Sequence, residues 1–168
     1  MLLKKVYTLV FVKTESQVLL GLKKRGFGVN KWNGFGGKVE PNETIIDAAS
    51  REMKEESCIV VKPCDLKNIA HLEFTFEGDP VMMDVRVFAT NKFEGTPTDT
   101  EEMQPKWFKF DDIPYKDMWP DDRYWFPYLL QGKSFYARFH YEGFDKILNY
   151  KIEEVESMVA FYALKKET

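Results

Sequence analysis

The stretch GKVEPNETIIDAASREMKEESCI, residues 37–59, decides how this chain is read. Residues 44–57 contain neither Pro nor Gly and repeat their apolar side chains at helical spacing. A helix is predicted there, with Asn42 as its N-cap and Pro41 ending whatever precedes it. On that helix Glu52, Glu55 and Glu56 stand at i, i+3 and i+4 and share an arc of about 100°. Ile46, Ala49 and Met53 form the apolar stripe beside the arc, which puts the three carboxylates at the edge of the buried face. Geometry alone leaves two readings open. One is a solvated charged face with Arg51 and Lys54 as ion-pair partners. In the other, a hard cation such as Mg2+ answers the repulsion between Glu52 and Glu56, which costs roughly 0.2–0.5 kcal/mol.

Outward from this segment, residues 6–12 and 18–22 read as two strands joined by a polar turn at 13–17. Residues 23–38 contain Gly26, Gly28, Gly34, Gly36 and Gly37, which predicts a loop whose backbone approaches something closely. On the C-terminal side, residues 66–77 alternate, with Ala70, Leu72, Phe74 and Phe76 on one face. A turn at Gly78-Asp79-Pro80 leads into 81–90, completing a predicted hairpin. Residues 106–110 suggest a short strand, and 120–131 a second helix with Gly132 beyond its end. Strands at 135–141 and 147–152 are predicted to close the sheet. With neither repeat nor linker, residues 1–156 read as one mixed domain, and 157–168 as an extension with a cationic end.

Composition bounds the function. With 168 residues, 44% apolar and 30% charged, the chain can build a real core. A net charge of −3 gives no basic footprint for nucleic acid. Cys58 and Cys64 form no disulfide framework, and His71 and His140 are too few for a multi-histidine zinc site. The apolar run at 6–12 is too short for a bilayer and lacks a secretory cleavage pattern, so no membrane association is expected. The expectation is a monomer in the cytosol, with nucleus and mitochondrion left open.

Spacing within the opening segment carries a resemblance. Gly37, Glu43, Arg51-Glu52-Met53, Glu55-Glu56 and Ile59 match the Nudix box, G-x5-E-x7-R-E-U-x-E-E-x-G-U with U apolar. Every defined position agrees except one, where Cys58 replaces a Gly that often takes a left-handed conformation. The chain therefore resembles the Nudix hydrolases. That resemblance implies an α+β fold, a mixed α/β/α sandwich with a mixed central β-sheet and a loop–helix–loop catalytic motif. It implies hydrolysis of a phosphoanhydride with Mg2+, or Mn2+ as a substitute. By position, Glu52, Glu55 and Glu56 would be metal ligands with the carbonyl of Gly36 or Gly37, and Glu102 a distant ligand or base. Arg51 would orient the glutamates, Glu43 would brace the motif by a salt bridge, and Glu56 or Glu52 would take the water's proton.

Three further segments, KKRGFG at 23–28, KWNGFGGK at 31–38 and KDMWPDDRYWF at 116–126, resemble the branch of the family that acts on oxidised purine nucleoside triphosphates. This implies a modified purine nucleoside triphosphate as substrate, 8-oxo-dGTP and 2-hydroxy-dATP among them. Trp119 would stack on the base, with Phe27, Phe74, Met83 and Trp125 as walls and Asn33 offering a donor and an acceptor. Asp121 and Asp122 would read the base by sharing a proton. Lys23 and Thr8 would meet the sugar–phosphate region. Phe35, Gly36, Gly37, Lys38 and Pro120 belong to the same motifs and count with the site. The residues alone also permit a plainer reading, in which Asp121 and Asp122 complement a helix dipole and Phe74 and Met83 are simply core. Two rivals stand beside this: a family member acting on another nucleoside diphosphate derivative, and an inactive nucleotide-binding module.

Overall fold

Two runs of β-branched and aliphatic residues near the N-terminus form β1 (Leu3–Val12) and β2 (Gln17–Lys23), but they enter different sheets in the computed structural model, which describes residues 2–166. β1 pairs in parallel with β5 (Val81–Thr90), Leu3 lying opposite Val81. β5 is antiparallel to β4 (Lys67–Phe76), forming the predicted hairpin, and β4 runs parallel to β7 (Ser134–Glu142). β7 turns back into β8 (Lys146–Val155), giving a mixed sheet of order β1-β5-β4-β7-β8. The predicted central sheet is thus accompanied by a second, antiparallel sheet, in which β2 lies between β3 (Trp32–Asn33) and β6 (Met103–Lys109). β3 falls inside the expected glycine loop. β6 starts earlier than expected because Gln104 and Pro105, weak strand signals, still pair opposite Leu22 and Gly21.

Helix α1 (Ile45–Ser57) is capped by Thr44, whose Oγ1 accepts from the Asp47 amide at 3.2 Å. Asn42, the predicted cap, instead occupies a left-handed turn with φ 67° two residues earlier. Cys58 ends the helix at φ 67° and ψ 6°, donating its N–H to the Lys54 carbonyl at 2.9 Å. Ala49 and Met53 of α1 pack with Val10, Leu19, Phe35, Ile59 and Met103 in one apolar cluster.

A second cluster lies under α2 (Asp122–Leu130), where Trp125, Phe126 and Leu129 meet Phe11, Leu72, Val87 and Phe135. Each such aromatic or aliphatic side chain contributes roughly 1.5–3 kcal/mol by leaving water. α2 begins two residues later than predicted, so Pro120 precedes it.

Strict alternation on β4 breaks down. Residues from Ile69 to Leu72 are all buried, because a bulge follows Asn68 and α3 (Met158–Lys166) covers the outer face. The Tyr162 hydroxyl of α3 lies 3.1 Å from His71 Nδ1. Beneath it Asp84 is fully buried, with His71 Nε2 at 2.9 Å, Arg86 Nε at 2.8 Å and Lys4 Nζ at 3.1 Å. Burial alone would raise the Asp84 carboxyl, but its bonds to His71 and Arg86 overcome this and hold it well below the usual range. Most of the 157–168 extension is therefore a packed helix, and residues 167–168 lie outside the described residues. Among the described residues, no helix is long and apolar enough to cross a membrane.

Candidate active site

The glycine-rich loop lies against β1. Val10 and Phe35 exchange backbone hydrogen bonds of 2.6 and 3.0 Å, and the Thr8 amide donates to the Gly37 carbonyl at 2.9 Å. A Cβ on Gly36 would fall 1.8 Å from the Thr8 carbonyl oxygen, and one on Gly37 would fall 2.6 Å from Glu52 Oε1. Only glycine lets the loop pass between strand and carboxylate. The Gly36 amide in turn donates to Glu56 Oε1 at 2.8 Å, which joins loop to helix.

Arg51 organises the acidic face of α1. Its Nε and Nη2 donate to the two oxygens of Glu43 at 3.0 and 2.6 Å. Its Nη1 reaches Glu52 at 3.0 Å and Glu55 at 3.2 Å, while Nη2 also approaches the Lys38 carbonyl at 3.3 Å. The Arg51 hydrogen bonds pull the Glu43 carboxyl down to about 2. Burial raises Glu52 against Arg51's opposing pull. Glu56 is only 4% exposed, and burial pushes it up to about 7. The Gly36 amide and Lys23, whose Nζ lies 4.0 Å away, moderate that rise, whereas the charges of Glu52 and Glu102 add to it. Glu102 accepts from Arg25 Nε at 2.9 Å, and that hydrogen bond holds it below its ordinary value.

Glu52, Glu55 and Glu56 were expected to hold metal, with Glu102 as a distant ligand or base. Among the described residues, no group of three or more His, Cys, Asp or Glu is gathered closely enough to hold a metal. Glu52 and Glu55 turn toward Arg51, Glu56 toward the loop and Glu102 toward Arg25. A guanidinium presents five donors in a fixed fork and so draws neighbouring carboxylates onto itself. The donor chemistry still suits a hard cation: carboxylate oxygens of Glu52 and Glu56 beside a glycine turn, that of Glu56 buried.

Beside Glu56 opens a cavity of about 240 Å3. Of the residues predicted to contact substrate, Thr8, Lys23, Phe27, Asn33, Gly36, Gly37, Phe74, Met83, Trp119, Asp121, Asp122 and Trp125 line it. Phe35, Lys38 and Pro120 do not. Phe35 alternates with Gly34 and Gly36 along a segment bridged to Val10, so its side chain enters the core on the other side. Lys38 contributes its carbonyl to Arg51. Tyr7, Leu9, Lys31, Leu72, Phe76, Val85, Met103 and Tyr141 line the cavity without having been predicted. Alternation could have placed Leu72 and Phe76 with Phe74, and Val85 with Met83. Met103 and Tyr141 come from distant strands and carry no local signal.

Trp119 forms one wall. Its ring lies 5.0 Å from that of Phe27, with Lys31 Nζ 5.3 Å from its centre and Phe144 edge-on at 6.0 Å. At the cavity's base, Asp121 and Asp122 are 3% and 2% exposed. Asp121 Oδ2 accepts from Trp125 Nε1 at 2.7 Å, and Oδ1 accepts from the Tyr141 hydroxyl at 2.5 Å. Asp122 Oδ2 is buried with no hydrogen-bond partner among the described residues. Burial raises both carboxyls, and the neighbouring charge of Asp121 drives Asp122 higher still. Asp121 makes no side-chain capping bond to α2; its oxygens are taken by Trp125 and Tyr141 instead.

The NUDIX domain model matches residues 3–129. The mouse oxidized purine nucleoside triphosphate hydrolase is 52% identical over 153 residues, covering 91% of this chain and 97% of its own length. The zebrafish (Danio rerio) protein of the same name is 48% identical over 158 residues, covering 94% and 100%. The crystal structure of a MutT protein from Bacillus halodurans superposes with a TM-score of 0.78 at 27% identity, covering 89% of this chain and 97% of that one.

Proposed function

Because the chain belongs to the NUDIX domain family, we propose that it hydrolyses modified purine nucleoside triphosphates, 8-oxo-dGTP and 2-hydroxy-dATP among them, to the monophosphate and pyrophosphate. One observation carries the reading: a buried pair of carboxyls, Asp121 and Asp122, shares a single cavity with the Glu56 carboxyl of the acidic helix. Base selection and phosphate chemistry thus sit in one continuous space. The two oxidized purine nucleoside triphosphate hydrolases support the substrate class.

The chain's own groups divide the work. Trp119, with Phe27 packed against it, offers an aromatic surface for a flat ring. Asp122, with an oxygen lacking a partner among the described residues, meets the polar edge of the base. Lys23, at the Glu56 end of the cavity, offsets phosphate charge. Glu56 or Glu52, both carboxylates at the phosphate end of the acidic helix, accepts a proton from the attacking water. Arg51 orients Glu52 and Glu55 and is itself fixed by Glu43. A divalent cation, Mg2+ with Mn2+ as substitute, would be held by Glu52, Glu55, Glu56 and Glu102 with the Gly36 or Gly37 carbonyl, and supplies phosphate neutralisation and a more acidic water.

The reading includes a monomer in the cytosol, where the exposed, unpaired Cys58 and Cys64 stay reduced. Residues 1–156 form the catalytic unit, with the remainder appended to it. Its test is kcat/KM with Mg2+ across oxidised, methylated and normal purine triphosphates. Oxidised purines should be turned over fastest, and Glu56→Gln should abolish turnover in a folded protein. Faster cleavage of ADP-ribose or diadenosine polyphosphates would assign the cavity to another substrate.

A further inference from the structure

Trp119 lies in the segment before α2, outside helix and strand. Among the described residues it joins neither of the two apolar clusters. Other rings surround it instead. Phe27, from the glycine-rich loop, lies 5.0 Å away at 32°. Tyr141 of β7 stands at 83° and 6.4 Å, and Phe144 at 87° and 6.0 Å. Phe27 and Tyr141 line the cavity, and Phe144 does not.

Phe144 follows Gly143 in the turn between β7 and β8 and is 55% exposed. Besides Trp119, its ring meets Phe27 at 5.6 Å and 82°, and Phe76 at 5.9 Å and 73°. These three lining residues come from separate parts of the chain: the glycine loop, β4 and the segment before α2. Near-perpendicular contacts at such spacings are the edge-to-face arrangement that the ring quadrupole favours. Phe27 is itself 53% exposed. With both rings more than half in water, burial holds them weakly, and their mutual contacts define where they rest.

A base that stacks needs an ordered surface, and ordering a loose side chain at the moment of binding costs affinity. Packing that orders the side chain on folding removes that cost from binding. Resting on the proposed reading of the cavity as a purine pocket, we infer that Phe144 is a positioning residue: from outside the cavity it braces Trp119 and Phe27, so the stacking wall is set before a nucleotide arrives. Its ring contacts lie with Phe27, Phe76 and Trp119, away from the acidic helix. The brace therefore acts on binding and leaves the hydrolytic step alone.

Phe144→Ala tests this at an exposed turn, with circular dichroism unchanged. KM for 8-oxo-dGTP should rise about tenfold, the effect of ordering two side chains at binding, while kcat stays within about twofold. Phe144→Tyr keeps the ring and should restore KM. Nitrogen-15 NMR of the indole N–H groups reads the brace without substrate, the Trp119 signal being assigned through Trp119→Phe. The heteronuclear NOE of Trp119 should fall in Phe144→Ala, while that of Trp125, 1% exposed in the core, holds. A Trp119 indole as rigid in Phe144→Ala as in the wild type overturns the inference, as does a fall in kcat with KM unchanged. If the wild type turns over no purine triphosphate, the proposed function fails, and the indole measurement still decides whether Phe144 braces Trp119.

Discussion

Replacing Cys58 by glycine should stabilise the protein. The residue leaves α1 at φ 67° and ψ 6°, a conformation that L-residues adopt at a cost of roughly 1–2 kcal/mol. Glycine removes that strain but enters folding from a freer unfolded chain, a penalty of roughly 0.5–1 kcal/mol. The Cys58 side chain is exposed, so little apolar burial is lost. The bond that closes the helix, from the Cys58 amide to the Lys54 carbonyl at 2.9 Å, belongs to the backbone and survives. A net gain of up to about 1.5 kcal/mol remains, centred near about 0.75, which in a domain of this size raises Tm by up to about 6 °C. Thermal and urea unfolding of metal-free protein, with the m-value checked for constancy, would measure it. Gly95 provides the opposite control: it stands at φ 94°, and an added Cβ would lie 3.2 Å from the Cys58 carbonyl oxygen, so Gly95→Ala should destabilise. A Cys58→Gly midpoint equal to or below wild type would refute the strain reasoning.

Other perturbations follow from the same structure. Glu56 holds its proton more tightly when folded, at about 7, than at its ordinary value of 4.5. The stability this contributes is complete below about pH 4.5 and is lost as pH rises through about 7, by on the order of 3 kcal/mol. Urea midpoints in chelator should show that decline, and Glu56→Gln should flatten it; an equal slope in both proteins counts against the buried carboxyl. Arg51→Lys keeps the charge but cannot hold Glu43 with a fork while reaching Glu52 and Glu55. Its kcat/KM should drop about 10–100-fold with circular dichroism unchanged, and a loss under about threefold would contradict the orienting role. Tyr162→Phe removes a hydroxyl 3.1 Å from His71 Nδ1 and 3.5 Å from Asn68 Nδ2. It should cost about 1–2 kcal/mol in urea unfolding with kcat/KM unaltered; unchanged stability would show that α3 is not anchored by this bond.

Local patterns were legible in the sequence and long-range pairings were not. The α1 helix, the β4–β5 hairpin and the glycine loop each announce themselves within about twenty-five contiguous residues, through periodicity, turn chemistry or composition. Helix boundaries depended on finer chemistry: Thr44 caps α1 because its hydroxyl reaches the Asp47 amide, while Asn42, an equally plausible cap by type, is used for a turn. Most of the cavity lining was legible through motif resemblance, but Phe35 was misplaced because its orientation depends on the bridge to Val10. Tyr141 was missed for a related reason. Only the parallel pairing of β7 with β4 brings it beside Phe76 and over Asp121, and no property of residues near 141 encodes a partner twenty positions away. The same holds for Asp84, whose pairing with His71 across two strands makes a buried carboxylate tolerable.

The parallel pairing of β4 with β7 also sets when during synthesis this protein becomes competent. The acidic helix is complete by residue 57 and the Asp121–Asp122 pair by residue 122, yet the strand that closes the cavity ends at residue 142. A nascent chain emerges from the ribosome in order, and strand pairs that join distant segments form late. For most of its translation the chain therefore carries its carboxylates without an enclosed place to bind a base. A product ending before β7 would keep every charged residue of the helix motif and lack the pocket, so early termination leaves an acidic fragment with no means of choosing a nucleotide.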